Sequence, residues 1–114
     1  MTIRRIPMPK GVPSFSMRVM LEQVEYQLEF DWNERAERWF MLLRTSAGDL
    51  ITSRKVLPNW PLLRGLVHAS RPPGELVAID GAMLGTPIGI GDWGERIMLD
   101  YFEAADVAQI AAGA

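Results

Sequence analysis

Residues 24–33, VEYQLEFDWN, alternate without a break. Val24, Tyr26, Leu28, Phe30 and Trp32 are apolar, while Glu25, Gln27, Glu29, Asp31 and Asn33 are polar. Successive side chains of a strand point to opposite sheet faces, so this pattern predicts a strand with one face in a core and the other in water. The preceding SFSMRVML, residues 14–21, alternates as well and sets Phe15, Met17, Val19 and Leu21 on one face. Glu22-Gln23 lies between the two, a spacing that suits a two-residue hairpin turn, although the usual glycine is missing. RWFMLLR, residues 38–44, is apolar at both odd and even positions and predicts a strand covered on both sides. The polar loop NERAER would set Trp32 opposite Trp39 and Phe40. Facing aromatics across an antiparallel pair contribute ~0.2–1 kcal/mol each and help fix register. A turn at TSAGD, residues 45–49, leads to a fourth strand, LITSRKVL. The first half thus reads as an antiparallel meander.

The pattern changes in the middle. In PNWPLLRGL, Asn59 is placed to cap a short helix near residues 59–65, Pro61 falls in its first turn, where a missing N–H is tolerated, and Gly65 would end it. ASRPPGE reads as a loop. ELVAID predicts a fifth strand and RIMLDYFEA a sixth, with Ile97, Leu99 and Tyr101 on one face. A glycine-rich connection, GAMLGTPIGIGDWGE, joins them. The fold class is therefore mainly β: an antiparallel meander closing as a small barrel or sandwich. We divide the chain into an extended N-terminal arm (residues 1–13), a single β domain (residues 14–106) and a small apolar C-terminal tail (residues 107–114) that allows a last helical turn. The arm carries three prolines and suits addition to the sheet edge of a partner.

Composition narrows the function classes. The 114 residues suit one domain, and 48% hydrophobic with 23% charged residues is a globular balance. A net charge of −2 argues against a broad nucleic-acid footprint. Cysteine is absent, which removes disulfides and thiolate metal sites. MTIRRIPMPK is basic but has no apolar run behind it, so it does not read as a signal peptide, and no stretch approaches the ~20 apolar residues of a membrane helix. The expectation is a soluble product made in the cytoplasm.

Candidate chemistry is sparse. GIGDWG, residues 89–94, matches G-x-G-x-x-G, but a strand follows it instead of a helix, and no crossover unit fits in the residues that remain. Its glycines read better as a bending loop that places Trp93. His68 is the only histidine and has no readable triad partners. Asp80, Asp92 and Asp100 are the carboxylates conceivable as metal ligands, without calcium-loop spacing. Glu29, Asp31, Glu34 and Glu37 read as a solvated face. Arginines are interleaved with acids, and four tryptophans and seven methionines suit contact surfaces. No catalytic residue, cofactor or metal site is expected. The interface candidates are Arg4, Arg5, Trp60, Arg71, Trp93 and Ile110, together with the 81–94 loop. A rival reading is a small carbohydrate-binding module stacking sugars on Trp60 and Trp93; another is an adaptor domain.

Four landmarks in order add a resemblance: Trp32, Asn33 and Trp39 of the hairpin, Pro58 to Leu63, the Pro72–Leu76 loop and the closing Gly94–Tyr101 strand. Over about residues 3–106 the chain resembles the phage baseplate plug family of contractile-tailed viruses. The resemblance implies a small β-rich structural protein at the centre of the tail baseplate, near hub, spike, tube or wedge proteins, in a homo-oligomeric ring in the virion. It implies no catalytic residue, no cofactor and no small-molecule ligand. The stretch from Gly85 to Gly91 has no counterpart in that resemblance.

Overall fold

The computed structural model describes residues 3–105 and 107. Seven strands form two antiparallel sheets: β1 (Ile3–Ile6), β2 (Ser14–Leu21), β3 (Val24–Asn33), β4 (Arg38–Thr45), β5 (Leu50–Lys55), β6 (Glu75–Asp80) and β7 (Ile97–Phe102). The order is β2-β3-β4-β5 in one sheet and β1-β7-β6 in the other. The sheets pack as a sandwich, and the barrel alternative does not hold.

The alternation explains the core. In β3, Tyr26, Leu28 and Phe30 are buried; Val24 and Trp32, at the strand's two ends, are less covered. Register sets Phe30 against Phe15 on one side and Met41 on the other, and Trp32 against Trp39. The second sheet supplies Leu76, Ala78, Ile97, Leu99 and Tyr101 to the same interior. Burying each such side chain is worth ~1.5–3 kcal/mol before conformational entropy is counted.

Three expectations change and a fourth holds. First, β4 buries only its odd face; Phe40 and Leu42 are half-buried on the outer face, where their register partners are Asp31, Lys55, Glu29 and Ser53. Second, no helix forms over residues 59–65. Asn59 sits at φ 59°, a left-handed conformation that a helix N-cap does not use. Its amide N–H donates to the Ala78 carbonyl (2.7 Å), and its side chain brackets the Asp80 backbone. Leu62 N–H likewise donates to Leu76 (2.8 Å). These donors are spent on the outer edge of β6, so the segment docks there as turns and bridges, with Leu62 and Leu63 buried. Third, part of the N-terminal arm belongs to the fold: β1 pairs with β7 of its own chain from Ile3↔Phe102 to Ile6↔Leu99. Fourth, Glu22 and Gln23 do make the two-residue turn without glycine, at φ 51° and 71°, the positive values a type I′ turn demands. The C-terminal tail beyond Val107 lies outside the described residues.

Candidate interaction surfaces

The glycine-rich connection is a packed loop. Asp80 ends β6 with its side chain fully buried and accepts from the Ala82 (3.1 Å) and Leu84 (3.2 Å) amides. Arg96 reaches Asp80 (3.2 Å), Thr86 Oγ1 (2.8 Å), the Pro87 carbonyl (2.9 Å) and Asp92 (3.3 Å). Asp92 in turn accepts from the Gly89 amide at 2.6 Å. One guanidinium thus gathers both ends of the loop. The third conceivable metal carboxylate, Asp100, projects from the other face of the second sheet, where Arg5 grips it at 2.9 and 3.1 Å. That grip raises the Arg5 pKa, through the hydrogen bond first and the charge second. The three aspartates are not brought together.

Trp93, expected at the surface, is 1% exposed. It packs edge-on against Phe30 at 5.3 Å and Trp39 at 6.1 Å, in the middle of the sandwich. Trp39 donates its indole N–H to the Gly89 carbonyl (3.0 Å), which holds the loop against the sheet. The loop's bend therefore turns Trp93 inward, and Trp60 and Trp93 form no paired stacking platform. Trp60 is 51% exposed, with the Arg64 guanidinium 5.3 Å from its ring centroid. Arg71 is half-buried and donates to the Leu63, Leu66, Pro72 and Gly74 carbonyls at 2.9–3.1 Å. Its role is internal: it shapes the 63–74 loop. Arg4 is exposed and donates to the Met20 carbonyl (2.6 Å), joining β1 to β2 across the gap between the sheets. Ile110 lies outside the described residues.

The surface also holds exposed apolar groups, three of them in the 81–94 loop expected as a contact and one, Val67, outside every candidate. Val67 is 95% exposed, and Met83, Leu84 and Ile90 are also exposed. The available signal was their position in Pro- and Gly-rich loops, where no strand face could bury them. On the outer face of β3, Glu29 has a raised pKa, caused first by a hydrogen bond with Asp31, then by burial and the Asp31 charge. This is a crowded carboxylate pair on an otherwise solvated face. No group of three or more His, Asp or Glu side chains placed to hold a metal ion occurs among the described residues.

A family model described as "Cyanophage baseplate Pam3 plug gp18" matches residues 3–104. The chain belongs to this baseplate plug family. The match runs from β1 to the residues just past β7, so both sheets of the plug fold lie inside it. Comparison with curated proteins gives no match. For a plug, the informative features are its exposed surfaces: the open strand edges and the apolar loops at 57–67 and 83–90.

Proposed function

We propose that this chain is a structural plug of a contractile phage tail, without catalytic activity, seated at the centre of the baseplate in the virion. It is made in the host cytoplasm and packs in a homo-oligomeric ring about the tail axis, against hub, spike, tube or wedge proteins. The family match over residues 3–104 carries the reading. The surface supports it. Leu57, Trp60, Val67, Met83, Leu84 and Ile90 stay exposed, although nineteen other apolar side chains among the described residues are buried in the core. Apolar loop residues left exposed in this way are available for association with other proteins. Repeated modest contacts around a ring add up to firm seating without a deep pocket.

Cryo-electron microscopy of intact particles or purified tails tests the reading. The expected result is density for the sandwich on the tail axis, in contact with other baseplate proteins. Particles that lack the chain, or hold it away from the baseplate, would overturn it.

A further inference from the structure

The four-stranded sheet has an open edge at β5. Val56 N–H donates to the Trp39 carbonyl (2.9 Å), and antiparallel pairing alternates, so Arg54 and Thr52 also bond inward to β4. The N–H and C=O groups of Ser53 and Lys55 therefore face outward, and both residues are exposed. Beside this edge runs a shallow notch of about 320 Å³, walled by Leu57, Trp60 and Pro61. Leu57 and Trp60 are 39% and 51% exposed.

The charge around the notch has one sign. Arg54, Lys55 and Arg64 make no ion pair among the described residues. Arg54 spends its guanidinium on the Arg64 carbonyl (2.6 Å). The neighbouring carboxylate, Glu75, is turned to the Leu63 and Leu76 amides at 2.6 and 3.0 Å. Three uncompensated cations on a chain of net charge −2 form a local surplus. A lysine on an edge strand ordinarily deters another strand. Here the deterrent is selective, since it repels a cationic strand and attracts an anionic one.

We propose that the β5 edge receives an extended strand of alternating acidic and apolar residues from a neighbouring baseplate protein. Main-chain bonds form at Ser53 and Lys55, an apolar side chain enters the Leu57–Trp60 notch on the face of Arg54, and the carboxylates, all on the strand's other face, meet Lys55, whose register partner is Phe40 on the outer face. Only the partner's identity as a baseplate protein rests on the plug reading. A second copy of this chain fits poorly as the occupant. Its open β1 and β2 edges carry Arg5 and Arg18, and the carboxylates beside them, Asp100 and Glu25, are already bound to those arginines.

The probe is a short synthetic peptide of alternating valine and glutamate, with a valine–lysine peptide as its counterpart, added to the full-length chain. At saturation the glutamate peptide should slow hydrogen exchange of the Ser53 and Lys55 amides by about tenfold or more, and added salt should weaken binding. Lys55→Glu and Trp60→Ala should each weaken binding about tenfold. Ser53→Pro should abolish it while the melting temperature stays near that of the wild type, because proline is tolerated where an edge N–H faces solvent. Unchanged exchange at Ser53 and Lys55, or equal binding of the lysine peptide, would overturn the proposal. So would association of the chain with itself through β5. Photo-crosslinking from position 55 in purified particles then separates the two readings. A product with a different protein supports both; a protected edge on a chain absent from particles keeps the site and removes the plug.

Discussion

The hydroxyl of Tyr101, the penultimate residue of β7, donates to the carboxylate of Glu22, in the turn between β2 and β3. The two residues are 79 positions apart and belong to different sheets. The same hydroxyl accepts the Gly74 amide at 2.8 Å. One buried phenol therefore fastens the ends of both sheets and the loop entering β6. The interaction also accounts for glutamate at a left-handed turn position that glycine or asparagine would fill more easily.

Tyr101→Phe should lower stability by ~1–3 kcal/mol at neutral pH, because it leaves the buried Gly74 amide without its acceptor and the Glu22 carboxylate with only the Ala104 amide (3.3 Å). Burial first, then the Glu22 hydrogen bond, pushes the phenol pKa well above its ordinary value near 10. The raised value fixes the sign of the pH dependence. The phenol stays protonated in the folded chain while the unfolded chain ionises, so its stabilisation is complete below pH ~10 and is lost as pH rises further, by about 1.4 kcal/mol per unit. Urea titrations at neutral and alkaline pH should show the steeper alkaline decline in the wild type and a shallower one in Tyr101→Phe. Parallel declines would contradict the assignment.

Gly74→Ala should be far more damaging than its single added methyl suggests. A Cβ there would lie 2.1 Å from the Phe102 carbonyl oxygen and 2.6 Å from the Tyr101 hydroxyl. The first obstacle is backbone of a paired strand, so relief requires β7 to shift against β6. We expect a loss of ~3 kcal/mol or more, beyond the usual cost of overpacking. Thermal unfolding beside Gly81→Ala, where a methyl would meet open space, gives the comparison. Equal melting temperatures for the two variants would refute the close approach.

The strands were legible because alternation is a local consequence of burying one face. Period two over residues 14–33 is enough to give the strand faces of β2 and β3. The hairpin at Glu22-Gln23 was legible from spacing alone. The segment at 59–65 was not, since Asn59, Pro61 and Gly65 satisfy helix signals locally while their backbone partners on β6 lie far along the chain. β4 misled for a related reason: Phe40 and Leu42 look like core residues, and nothing local says that only their odd-numbered neighbours are covered. Trp93 sits in a stretch without periodicity, so no rule of strand or helix could give its facing. Arg96 escaped notice as one arginine among many, because its importance comes from converging on loop carbonyls and two aspartates.

Arg96→Met should release the 81–92 loop. The substitution keeps much of the stem's packing but removes the contacts to Asp80, Thr86, Pro87 and Asp92. The buried Asp80 side chain then keeps only the Ala82 and Leu84 amides as partners, at a cost of ~3 kcal/mol, the low end for breaking a buried pair. Adding Asp80→Asn to that variant should recover part of the loss, since the orphaned charge goes with it. A double-mutant cycle from urea melts measures the coupling, which should exceed ~1 kcal/mol. Additive single effects would show that the pair does not organise the loop.

Trp39 and Trp93 offer a controlled contrast between two buried indoles that touch each other. Both are 1% exposed, yet Trp39 donates to the Gly89 carbonyl, whereas the Trp93 N–H finds no acceptor among the described residues. Replacing either by phenylalanine removes similar volume and keeps an aromatic ring for the edge-on packing. Trp39→Phe also removes a hydrogen bond to the Gly89 carbonyl and leaves it only the Asp92 amide (3.2 Å), while Trp93→Phe removes a donor that had no acceptor. Trp39→Phe should therefore cost ~1 kcal/mol more than Trp93→Phe. Trp93→Ala, by contrast, empties the centre of the sandwich and should cost ~3–5 kcal/mol. Circular dichroism melts of the three variants decide the matter. A fully stable Trp93→Ala protein would mean that this ring lies outside the core, and would restore it as a surface anchor.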